Sequence, residues 1–168
     1  MNIHDAAKIL NLSGAITPDA VKRAYRQACS KYHPDRNPAG EEMMKAVNAA
    51  YEVLQDFTGK ANEDSTEDYS QGLNDAITFA LGLSGVIVEL CGAWVWLSGD
   101  TKQHREALKH SKNSLPDGYG YRWAPKKKMW YYRPADWSSK SYGTWSIDEI
   151  RTEHGSTTIK SKRELLTA

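Results

Sequence analysis

Cysteine is scarce in this chain of 168 residues, which has only Cys29 and Cys91. Two cysteines so far apart form neither a disulfide framework nor a zinc-binding spacing, and a reducing, cytoplasmic setting is expected. The opening stretch "MNIHDAAKIL" lacks the apolar core of a signal peptide. Charge of one sign is not in excess either, with 22 Lys/Arg against 21 Asp/Glu. No internal repeat is present. Long hydrophobic runs are absent but for one, "AITFALGLSGVIVELCGAWVWL" from Ala76 to Leu97. That run is long enough to span a bilayer. Its single charge, Glu89, would cost about 2.5–3.5 kcal/mol near the centre of a spanning helix. Gly82, Gly85 and Gly92 also divide it into pieces of strand length, and no basic cluster flanks it closely on the N-terminal side. It therefore reads as a helix followed by a hairpin, and a membrane is not an expected partner.

What is present is unevenly distributed. Residues 1–60 carry eight bases and seven acids, residues 61–75 five acids and no base, and the remainder fourteen bases and nine acids. All six tryptophans, at 94, 96, 123, 130, 137 and 145, fall in the last part. Such a break implies two units of different character joined by an acidic segment. The expected organisation is a helical unit over 1–59, a flexible linker over 60–72, a small Trp-rich module over 73–135, and a tail over 136–168 with one short helix. The fold class is α+β.

In the first unit "HDAAKILNL" predicts a short helix with Ala6, Ile9 and Leu10 facing a core. Thr17 is an N-cap candidate and Pro18 suits the first helical position. Val21, Ala24, Tyr25 and Ala28 then recur at helical spacing, opposite a basic face of Lys22, Arg23, Arg26 and Lys31. Pro34 ends this helix near Tyr32, because the residue before a proline avoids helical geometry. A third helix is expected from about Glu41 to Phe57, with Met44, Val47, Tyr51 and Leu54 on its buried face. In the second unit the spacing predicts a helix over 73–83 and strands in "VIVELC" and "AWVWLS", turned at Gly92. A helix over 101–110, capped by Asp100 with Gln103 and burying Ala107 and Leu108, follows. Strands in "YRW" and "MWYYR" complete a ββαββ order. Ser146 and Glu149 stand at capping-box spacing before a last helix that Gly155 stops.

The stretch "KYHPDRNP", Lys31–Pro38, sets a histidine and an aspartate either side of a proline. Alone, His-Pro-Asp is a weak signal that three residues match by chance in many proteins, and its plain reading is a turn between helices. No further ligand lies at a useful spacing, so no metal or cofactor is expected, and a helical hairpin this small offers little cleft for acid–base catalysis. Taken together, "ITPDAVKRAYRQACSKYHPDRNP" and the later "VNAAYEVL" resemble the J-domain of DnaJ-type co-chaperones over about residues 4–57. The resemblance implies docking on a DnaK-type (heat-shock-protein-70) ATPase and stimulation of its hydrolysis, with no enzymatic chemistry on this chain. The residues it assigns to chaperone binding are His33, Pro34 and Asp35, with Lys22, Arg23 and Arg26 as a cationic face. Tyr25, Tyr32, Met44, Val47, Tyr51 and Leu54 are assigned to the core. Ala6 and Ala7 stand where family members usually carry tyrosine, the short fourth helix is replaced by the acidic stretch, and Gly/Phe-rich and cysteine-rich zinc segments are missing. The pattern is that of the minimal class of J-proteins.

The stretch "GAWVWLSGDTKQHREALK…GYRWAPKKKMWYYRP", over roughly 86–134, resembles a module of phage, prophage and plasmid proteins and assigns no activity. Residues 101–133 hold nine bases against two acids, with Trp123, Trp130, Tyr131 and Tyr132 among them. Basic surfaces with aromatic platforms hold single-stranded nucleic acid by phosphate neutralisation and base stacking. The candidate residues for nucleic acid or a client are Lys102, Arg105, Lys109, Arg122, Trp123, Lys126, Lys127, Lys128 and Trp130. The alternative is a small core built from aromatics with a solvated Lys-rich turn. Three functions remain open: a co-chaperone directed to an unidentified client protein, a nucleic-acid-binding protein of a mobile element with a chaperone tether, and a decoy that occupies a host chaperone.

Overall fold

The computed structural model describes residues 1–60, 69–116, 118–133 and 145–159. Helix α1 (Ile3–Ile9) is capped by Asn2, whose side chain accepts from the Asp5 N–H. Strand β1 (Ala15–Ile16) precedes α2 (Pro18–Lys31), where Thr17 accepts from the Ala20 N–H and Pro18 opens the first turn. Helix α3 (Gly40–Leu54) runs back against α1 and α2, and β2 (Gly59–Lys60) then pairs antiparallel with β1. Met43, Ala46, Val47, Ala50 and Leu54 are its most buried apolar side chains, while Met44 and Tyr51 are only partly covered. The buried face is thus rotated from the expected one. Packing on α1 as well as α2 brings the small residues Ala46 and Ala50 inward. Tyr25 is likewise half-buried, tilted against Tyr51 with ring centroids 4.5 Å apart.

Residues 61–68 of the expected linker lie outside the described residues, but its last four residues are helical. Helix α4 spans Tyr69–Leu81, starting earlier and ending earlier than the expected 73–83. Leu73, Ala76, Ile77 and Ala80 are fully buried at one-turn spacings, and α4 packs on α1 and on the sheet of the second unit. One apolar cluster accordingly runs from Ala6 through Leu54 and Ile77 to Leu97 and Ile159.

The apolar run that could have spanned a membrane is the end of α4 plus strands β3 (Val86–Cys91) and β4 (Trp94–Gly99), a hairpin turned at Gly92 with φ +57°. Among the described residues no helix is long and apolar enough to cross a membrane. Helix α5 is only Arg105–Lys109, with no side-chain cap. Gln103 does meet Asp100 at 3.0 Å, but it also donates to the Ser84 carbonyl, so the pair closes a turn and does not start a helix. Leu108 is buried and Ala107 exposed. Strands β5 (Arg122–Ala124) and β6 (Met129–Tyr132) follow, then α6 (Ile147–His154) with both halves of its Ser146–Glu149 capping box formed. The tail adds a strand that the pattern did not predict, β7 (Thr157–Ile159). The sheet order is β5-β6-β4-β3-β7, antiparallel throughout.

One sheet face, with Val88, Leu90, Val95, Leu97 and Tyr132, belongs to the shared core. The other sets Cys91, Trp96 and Met129 against Trp94, Tyr131 and the α6 residues Ile147 and Ile150. Glu89 lies on this second face, 6% exposed, and Arg151 grips it with Nε 2.6 Å from Oε1 and Nη2 2.7 Å from Oε2. The one charge of the apolar run is a buried ion pair.

Candidate functional site

The His33–Asp35 loop joins α2 to α3, and the backbone explains its shape. Helix α2 closes at Tyr32, whose N–H donates to the Ala28 carbonyl, and the Arg36 N–H then donates to the His33 carbonyl at 3.0 Å. Pro34 lies against the start of α3. A Cβ added to Gly40 would come 2.5 Å from the Pro34 Cα, so only glycine lets the loop sit this close.

The site residues are displayed. The His33 and Asp35 side chains are 56% and 84% exposed, with His33 Nδ1 3.5 Å from Asp35 Oδ2. The Asp35 backbone N–H also donates to His33 Nδ1 at 3.3 Å. The His33 ring is therefore oriented by the loop's own backbone, and both side chains reach solvent. Lys22, Arg23 and Arg26 are exposed on α2 and form no ion pair among the described residues. The neighbouring Lys31 lies over the Tyr32 ring, 5.2 Å from its centroid.

The loop is held from below. Tyr32 is 2% exposed, and its hydroxyl is 2.8 Å from the Ser70 hydroxyl. Asn37 uses both ends of its amide: Oδ1 accepts from the Ala39 N–H at 3.0 Å, and Nδ2 donates to Asn74 Oδ1 at 2.5 Å. Sequence reasoning missed Asn37, Gly40, Ser70 and Asn74. Asn37 stood within the quoted loop but was given no role, and Gly40 was read only as prolonging the break between the helices. Ser70 and Asn74 are polar helix residues, which ordinarily face water.

In the second unit the candidates separate. Trp123 is 44% exposed, while its cross-strand partner Trp130 is 7% exposed and belongs to the shared core, 5.5 Å away between ring centroids. Arg122, Lys126 and Lys128 are exposed around that hairpin, whereas Lys127 reaches over the Trp96 ring at 5.8 Å. Lys102, Arg105 and Lys109 are exposed on and before α5. Among the described residues no group of three or more His, Cys, Asp or Glu could hold a metal ion.

Comparison with known proteins bears on the first unit. Residues 5–64 match the DnaJ domain family. The chaperone protein DnaJ of Clostridium perfringens is 46% identical over 63 residues, covering 36% of this chain and 16% of that protein. That of Thermosynechococcus vestitus is 47% identical over 62 residues, 36% of this chain and 17% of that protein. The DnaJ of a Wolbachia from Brugia malayi is 37% identical over 91 residues, 48% of this chain and 24% of that protein. The chain thus spans a quarter or less of the length of these relatives. No solved structure matches it.

Proposed function

We propose that this chain is a co-chaperone whose first unit docks on a DnaK-type ATPase and stimulates its hydrolysis, while the second unit brings a client. The observation that supports this most is the loop itself. Within the DnaJ-domain match, His33 and Asp35 project from a backbone-fixed turn at the end of the helix that carries the cations Lys22, Arg23 and Arg26, which form no ion pair among the described residues. The cationic face attracts an acidic chaperone surface and raises the association rate. The preformed turn lowers the ordering cost of docking. In single-turnover ATP hydrolysis by the chaperone, His33→Gln is expected to abolish stimulation while leaving the thermal midpoint unchanged, because the ring is exposed. Stimulation equal to the parent chain's would falsify the assignment.

A second reading has one observation in its favour, the exposed indole of Trp123 on the hairpin that also carries the exposed cations Arg122, Lys126 and Lys128. This is the composition of a stacking platform for single-stranded nucleic acid. It predicts salt-dependent gel shifts with an oligonucleotide, weakened by Trp123→Ala. No shift at low salt removes it.

A further inference from the structure

Ser70 and Asn74 are one turn apart on α4, so they share a face of that helix. Each meets a residue on a different side of the His33–Asp35 tripeptide: Ser70 the Tyr32 hydroxyl just before it, Asn74 the Asn37 amide just after. Both α4 side chains are buried. The Asn74 amide is itself oriented, since its Nδ2 donates to Asp75 Oδ1 at 3.4 Å and leaves Oδ1 for Asn37. Asp75 is in turn held by Gln71 Nε2 at 2.7 Å. Helix α4 is anchored by Leu73 and Ile77, which share the stripe of Ser70 and Asn74, and by Ala80 in the core, and the Tyr121 hydroxyl donates to the Ala76 carbonyl at 2.8 Å. The grip on the loop therefore comes from a helix seated on the second unit's sheet.

We infer that Ser70 and Asn74 are positioning residues that clamp the His33–Asp35 loop from both sides, so that the second unit sets how the loop is presented to its partner. The inference rests on the docking reading above. Without the clamp, the loop samples other conformations and only a fraction of the chains is competent to dock at any moment. Apparent affinity falls by that fraction, while the maximal rate reached at saturation stays the same.

The test uses the full chain carrying Ser70→Ala with Asn74→Ala, titrated against a DnaK-type chaperone in single-turnover hydrolysis. Half-maximal stimulation is expected at roughly tenfold higher concentration, for two hydrogen bonds of ordinary strength, with the same plateau. Backbone amide exchange at 35–39 should rise while that of α1 and α3 stays constant. Ser70→Thr alone keeps the hydroxyl and should keep the parent titration, whereas Ser70→Ala alone should raise the half-maximal concentration, a split that a general loss of stability would not give. An unchanged half-maximal concentration in the Ala variant, with a parent chain that does stimulate, overturns the clamp and leaves the docking reading standing. A parent chain that does not stimulate at all overturns the docking reading and the inference with it.

Discussion

At the scale of single residues, the His33–Asp35 loop depends on an absence. Gly40 leaves room for Pro34, and Gly40→Ala would push a methyl group into a proline Cα with no flexible side chain to yield. The expected result is a loss of about 1–3 kcal/mol of stability and a displaced loop. Urea unfolding reads the first, and impaired ATPase stimulation the second. The two cysteines are a sharper contrast. Cys91 is fully buried, and burial, then the neighbouring Glu89 carboxylate, pushes its thiol up to about 12. Cys29 is only partly covered. A thiol reagent at neutral pH should titrate one group quickly, Cys29, and the second only in denaturant; two fast thiols would contradict this core.

Glu89 and Arg151 give the residue scale its pH dependence. Hydrogen bonding from Arg151, the largest cause, outweighs burial and holds the Glu89 carboxyl below its ordinary value. The unfolded chain therefore takes up the proton more readily than the folded one. The stabilisation is complete above the ordinary glutamate value and is lost as pH falls through the lower folded value. Glu89→Gln should remove about 1–3 kcal/mol near neutrality and flatten the acid limb of the stability curve. Parallel melting of the parent and variant from pH 7 to pH 3 checks it.

At the scale of elements, the helix boundaries follow local chemistry. Thr17 and Pro18 open α2, the Pro34 restriction closes it, and Ser146 with Glu149 opens α6. Each was readable because capping and proline effects act within one turn. Ser146→Ala should cost about 0.5–2 kcal/mol, read by urea unfolding. The α5 expectation was too long because Asp100 and Gln103 also make local contacts in a turn, and only the Ser84 carbonyl, 19 residues back, decides between the two. The third-helix stripe was rotated for a related reason. Periodicity shows that a helix has a buried face, but two neighbours, α1 and α2, widen that face onto alanines that carry little hydrophobic signal of their own.

At the scale of the whole molecule, the composition break between the units does not correspond to a break in the core. Helix α4 joins α1 to the sheet, and His154 Nδ1 lies 2.8 Å from the buried Asp5 carboxylate, linking α6 to α1. A shared core implies a single cooperative transition. Four of the six tryptophans lie in the second unit and the other two in the tail, so their fluorescence reports the C-terminal part of the chain, whereas far-ultraviolet circular dichroism is weighted to the helices of the first unit. The two urea curves should coincide; an earlier loss of helix signal would mean that the units unfold independently.

The sequence by itself determined the helical hairpin, the His33–Asp35 loop between its arms, the β3–β4 turn at Gly92 and the cap of α6. All of these are set by backbone sterics and side-chain spacing within a few residues. Only the tertiary structure decided that Trp130 is core and Trp123 surface, that β7 joins the sheet, that Glu89 finds Arg151, and that Ser70 and Asn74 reach the loop. Those outcomes depend on chain segments brought together across tens of residues. The side chains concerned are common types whose spacing along the chain carries no mark of the partner they meet.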